Sequence, residues 1–173
     1  MKVISKRKIK SNKNKRGFTL IELLLYMGIF SIFLIVTLEM FASIFDIQLE
    51  SEATSSVSTD GRYMLQRFTY DVNRASNISD PVSFGSASAA LTLVVDGQNL
   101  IYSLDSGNLI LENETTGTFD QLNTSESSVS GLSFIKLKGG DFDTVQINFT
   151  LTSETRRKGG LEVKEFKTSA GIR

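Results

Sequence analysis

The sequence predicts an α+β fold: a long N-terminal helix, membrane-spanning in its first half, packed by its second half on an antiparallel β-sheet head. Three observations predict it. Residues 18–38 are an apolar run with a single charge, Glu22. Helical spacing of apolar residues then continues to Ala75. From Leu91 onward the pattern changes to short β-like runs separated by Asp, Asn, Ser and Gly.

The apolar run reads FTLIELLLYMGIFSIFLIVTL. At 1.5 Å per residue it makes a helix of about 31 Å, close to the hydrocarbon thickness of a bilayer. It has no polar face, which a soluble amphipathic helix would show. The residues before it carry Lys2, Lys6, Arg7, Lys8, Lys10, Lys13, Lys15 and Arg16 and no acid. By the positive-inside rule this basic stretch stays in the cytoplasm and the C-terminal part lies across the membrane. The formal net charge of zero hides this partition. After Gly17 the chain carries 11 basic against 19 acidic side chains, about −8.

An ordinary secretory signal is cleaved after its apolar region, at small residues with A-x-A spacing. The residues after Leu38, EMFASIFDIQ, offer no such site. The small residue at a sharp boundary is Gly17, before the apolar region.

Beyond Leu38 the residues Phe41, Ile44, Phe45, Ile47, Ala53, Val57, Met64, Leu65, Phe68, Val72 and Ala75 recur at helical spacing. The Ser/Thr-rich residues 54–59 and Gly61 weaken the helix, and a bend is expected near Asp60-Gly61. Asn77 and Pro81 close it. Strands are expected over residues 91–95, 100–104, 109–112, 132–137, 145–152 and 161–167. Asp96-Gly97-Gln98-Asn99 and Asp105-Ser106-Gly107-Asn108 separate the first three, which should form an antiparallel meander. Residues 145–151 alternate strictly, as a strand with one wet face should. Residues 115–130 read as a polar surface loop and residues 152–160 as an exposed hairpin tip.

Composition excludes much chemistry. The chain has no Cys and no His, so disulfides, thiolates and the commonest general base are absent. No Gly-rich phosphate loop or G-x-S-x-G elbow is present. Asp141-Phe142-Asp143 offers two carboxylates, too few for calcium, which takes six to eight oxygens. No metal, cofactor, small-molecule substrate or catalytic residue is expected. The four N-x-S/T triplets, at Asn77, Asn113, Asn123 and Asn148, carry no weight in a chain so rich in Ser, Thr and Asn. The basic residues Arg156, Arg157 and Lys158 are expected to keep a hairpin soluble rather than to touch nucleic acid.

The run Lys15-Arg16-Gly17-Phe18-Thr19-Leu20-Ile21-Glu22-Leu23-Leu24 resembles the class III signal of type IV pilins and type II secretion pseudopilins. The resemblance covers residues 15–42 closely and implies a pilin-like fold. It implies cleavage between Gly17 and Phe18 by a prepilin peptidase and N-methylation of Phe18. It also implies that Glu22, fifth in the mature chain, pairs with the N-terminal amine of a neighbouring subunit during assembly. The physics of Glu22 agrees. An ionisable group in a membrane segment is costly, and a neighbour's ammonium at a helix N-terminus would neutralise it.

The segment from Arg62 to Ala75 is similar to the corresponding helix of J-type pseudopilins and of PilW-like and ComGF-like minor subunits. The expected organisation is therefore a cleaved basic leader over residues 1–17 and a transmembrane or filament-core helix over 18–38. An amphipathic continuation follows over 39–76, then a β-rich head over 77–173. The expected function is a non-enzymatic, minor filament subunit of a pilus, secretion pseudopilus or DNA-uptake filament. Its partners are the prepilin peptidase, other subunits and membrane lipid. It sits in the inner or cytoplasmic membrane, head extracytoplasmic, before joining a surface or periplasmic filament. The alternative is a single-pass anchored adhesin or sensor that does not assemble; an acid at Glu22 speaks against a plain anchor.

Overall fold

A computed structural model describes residues 17–139 and 142–172. One helix, α1 (Leu20–Arg74), is followed by nine strands: β1 (Ala75–Asp80), β2 (Ala87–Ser88), β3 (Leu91–Val95), β4 (Gln98–Asp105), β5 (Asn108–Asn113), β6 (Thr118–Gln121), β7 (Ser127–Gly139), β8 (Phe142–Ser153) and β9 (Val163–Gly171). The chain divides into two compact units, Met1–Ser43 and Ile44–Arg173. In the first, the described residues are the start of α1, with every large apolar side chain exposed.

The second unit is a helix packed on antiparallel sheet. β1-β3-β4-β5-β6 form one five-stranded sheet and β2-β7-β8-β9 a four-stranded one. The β3-β4-β5 meander is present, with β3 paired from Leu91↔Tyr102 to Val95↔Gln98. Its turns are two-residue hairpin loops. Asp96 and Gly97 have φ of 52° and 77°, and Ser106 and Gly107 have 49° and 84°. Two consecutive positive φ values mark the type I′ turn, whose twist matches that of paired strands.

The helix buries Ala53, Val57, Met64, Phe68 and Val72 completely. Phe68 meets Tyr102 of β4 at a ring-centroid distance of 6.3 Å and Phe134 of β7 at 6.3 Å, and those two rings lie 6.2 Å apart. This triangle joins the helix to both sheets at the centre of the core, in the edge-on and tilted geometries that aromatic rings favour.

Several expectations need correction. The helix ends at Arg74, and residues 75–80 form β1 against β3 instead of continuing it. The helix is not interrupted at Asp60 and Gly61, where the sequence expects a bend and no break. Gly61 serves packing: a Cβ there would lie 2.2 Å from the ring of Phe166 on β9. Of the expected amphipathic face, Phe41, Ile44, Phe45 and Ile47 are more than half exposed, and burial begins at Ala53. Residues 115–130 are not simply loop, for they hold β6 and the start of β7, with Leu122, Asn123 and Ser127 buried. The strand expected over 161–167 is displaced to Val163–Gly171.

Candidate functional site

The site predicted from sequence lies at the start of α1. Thr19 caps the helix: its Oγ1 accepts the Glu22 N–H at 3.3 Å, and its carbonyl accepts the Leu23 N–H at 3.2 Å. Thr19-Leu20-Ile21-Glu22 has the S/T-x-x-E spacing of a capping box, and the acid falls in the first turn, where the helix dipole favours it. That spacing is legible in the sequence and gives Thr19 a role that the motif reading passes over.

Tyr26, one turn beyond Glu22, is a second such residue. Its hydroxyl donates to Glu22 Oε1 at 3.4 Å, a long bond, and its ring meets that of Phe18 edge-on at 6.1 Å. Phe18, Glu22 and Tyr26 therefore share one side of the first two turns. Glu22 is half-buried among residues that are otherwise exposed. Among the described residues, a Cβ added at Gly17 would meet nothing within 4 Å. No fold constraint in the described residues requires a glycine at that position.

Farther along, the polar side chains of the apolar run satisfy themselves. Ser31 Oγ donates to the Met27 carbonyl at 2.7 Å, and Thr37 Oγ1 to the Phe33 carbonyl at 2.8 Å. This back-bonding lets a hydroxyl sit in an apolar medium without an unpaired donor. The helix is long and apolar enough to cross a membrane, and none of the apolar window is buried. A single apolar helix near the N-terminus is consistent with a membrane-anchored N-terminus.

In the second unit, two buried aspartates on one face of α1 hold the sheets. Asp60 and Asp71 are separated by three helical turns. Asp60 Oδ2 accepts from the Thr124 N–H at 2.9 Å, Thr124 Oγ1 at 2.8 Å and Ser127 Oγ at 2.6 Å. Asp71 Oδ2 accepts from Tyr102 Oη at 2.6 Å and from Arg67 Nε at 2.8 Å. Burial, then the Asp71 charge and the bond to it, push the Tyr102 phenol far above its ordinary range. Burial alone would lower the Arg67 pKa, but the hydrogen bond and charge of Asp71 raise it. Asp71 is thus a buried architectural residue, with the part-exposed Arg67 as one of its donors.

Asn123 completes this junction. Its Oδ1 accepts the Leu109 N–H at 2.9 Å and its Nδ2 donates to the Ser127 carbonyl at 2.7 Å. Only its position in a buried turn, which the sequence does not reveal, distinguishes it from the other Asn residues.

Among the described residues no group of three or more His, Cys, Asp or Glu is placed to hold a metal ion. Of the sequence pair Asp141 and Asp143, Asp141 lies outside the described residues, and Asp143 is engaged at 2.9 Å by Lys136 Nζ.

An apolar helix near the N-terminus, joined in sequence to a helix-on-sheet head, is the arrangement of a β-rich head on an N-terminal apolar helix and is consistent with membrane anchoring. Comparison with protein families matches the prokaryotic N-terminal methylation motif over residues 12–38. No curated protein and no solved structure matches. The motif and the fold together support a non-enzymatic structural subunit of the pilin or pseudopilin type.

Proposed function

We propose that this chain is a minor subunit of a type IV pilus, a type II secretion pseudopilus or a DNA-uptake filament. It is inserted with its N-terminus cytoplasmic and its head extracytoplasmic. A prepilin peptidase cuts between Gly17 and Phe18, the new amine of Phe18 is methylated, and the subunit joins a filament through its apolar helix. The observation that carries the reading is the methylation motif ending in a capped helix with one acid in its first turn.

Two features support the residue roles. Among the described residues nothing would meet a side chain at Gly17, which supports a glycine requirement set by a peptidase pocket rather than by packing. Glu22 has only the long Tyr26 bond among the described residues, so its carboxylate retains capacity for a neighbour's ammonium. In a low-dielectric bundle such a pair neutralises two charges that are costly alone. The minor role rests on the similarity of residues 62–75 and on the absence of any cysteine that could close a C-terminal loop.

Co-expression with a prepilin peptidase tests the reading. The chain should shorten by the length of the leader, and Gly17→Val should block the shortening. A chain unchanged beside an active peptidase would contradict it. Counting subunits in isolated filaments tests the minor role, since a major subunit would outnumber the others.

A further inference from the structure

The basic loop between β8 and β9 is not a free hairpin tip. Arg157 keeps only 18% of its side chain exposed. Its Nη1 donates to Glu50 Oε1 on α1, its Nη2 to Glu162 Oε2, and its Nε to the Gly160 carbonyl at 3.2 Å. All three guanidinium nitrogens are therefore engaged, in the planar fork that suits Arg and not Lys. Lys158 Nζ lies 3.8 Å from Asp46 Oδ2. Asp46 and Glu50 stand one turn apart on the same helix face, so the loop bonds the helix at Glu50 through Arg157 and lies near Asp46 through the exposed Lys158.

The loop is itself braced. The Ser153 N–H donates to the Glu162 carbonyl at 2.8 Å, the Gly160 N–H to the Arg157 carbonyl at 3.0 Å, and the Glu154 N–H to the Glu126 carbonyl at 2.8 Å. The helix residues it grips have little else holding them. Ile44, Phe45 and Ile47 are more than half exposed, and the buried face starts at Ala53. From Ala53 onward apolar burial fastens the helix to the sheets; before Ala53, charge does.

We propose that residues 154–162 are a clasp that holds helix residues 44–52 on the head, with Arg157 as its positioning residue. Closed, the clasp keeps residues 44–52 fixed to the head. Open, it leaves the head bound to the helix only from Ala53 onward. Because its bonds are ionic and near the surface, salt weakens the clasp while leaving the apolar core intact. The inference does not depend on the filament reading.

Amide hydrogen exchange of the full chain in detergent micelles, read by mass spectrometry, tests it. Raising salt to about 1 M, where the Debye length falls to about 3 Å, should speed exchange several-fold in peptides covering residues 44–52. Peptides covering residues 64–72 and 145–151 should not change. Arg157→Gln should show the fast exchange already at low salt and lose the salt response. Glu50→Gln, which leaves the Arg157–Glu162 bond in place, should reproduce it. Unchanged exchange at residues 44–52 in either variant would overturn the proposal. So would an equal rise across the whole head, which would make Arg157 a general stabiliser.

Discussion

The Tyr102 hydroxyl donates to Asp71 Oδ2 across 2.6 Å, with the phenol wholly buried and the carboxylate almost so. A strand and a helix are thereby joined by a charge-assisted bond inside the core. Such bonds contribute more than neutral ones, on the order of 1.5–3 kcal/mol. Tyr102→Phe should lower head stability by roughly that amount, measured by denaturation of the full chain in detergent.

The same pair sets a pH dependence. The folded-state pKa of Tyr102 lies above its unfolded value of about 10. The unfolded chain therefore loses this proton first. The stabilisation is complete below about pH 10 and is lost as pH rises above it. Tyr102→Phe should flatten that alkaline fall relative to the parent chain. An identical fall in both proteins would show that Tyr102 is not its source.

Asp60 supports three donors with one oxygen. Asp60→Ala orphans them in a buried junction and should cost about 3 kcal/mol. Asp60→Asn keeps an acceptor and should cost less. Thermal unfolding of both variants compares the two.

Gly61→Ala pits two effects against each other. Alanine favours a helix interior over glycine by about 1 kcal/mol. The added Cβ, however, would lie 2.2 to 2.6 Å from three carbons of the Phe166 ring, which stacks on Phe149 at 5.4 Å. Overpacking of this kind costs roughly 1–3 kcal/mol, so the substitution should destabilise. Adding Phe166→Leu should recover part of the loss, and the double-mutant cycle measures the coupling.

On the proposed reading, Glu22 serves assembly and not processing. Glu22→Gln should leave cleavage after Gly17 intact while sharply reducing incorporation into filaments. Equal loss of both would assign Glu22 to the peptidase rather than to the neighbouring subunit. Gel mobility reads the first step and filament pull-down the second.

The meander was legible because its turns carry Asp-Gly and Ser-Gly where two positive φ values are needed. The 145–151 strand was legible because its alternation coincides with a buried-outward period of two. β1 was not, because Ala75-Ser76-Asn77-Ile78-Ser79-Asp80 is short, polar and continuous with a helical pattern; pairing with β3 decides it. β6 hid in a Ser/Thr-rich stretch, its four residues exposed and held by one neighbour, β5. Ser56 and Gly61 lower helix propensity, yet the structure uses them as the small residues of a helix face pressed on sheet. Tertiary packing thus outweighed a local preference of about 1 kcal/mol or less per residue. At the N-terminus, the motif over residues 12–38 was readable from the linear sequence, whereas Tyr26 needed the helical turn to bring it to Glu22.

Gly17-Phe18 is the proposed processing junction. Mass spectrometry of the N-terminal peptide, from protein recovered from its own membranes, tests it most directly. A peptide beginning at N-methylated Phe18 is the predicted result. A peptide beginning at Met1, from cells with an active prepilin peptidase, would mean that Gly17-Phe18 is not cut and leave an anchored binding protein as the reading.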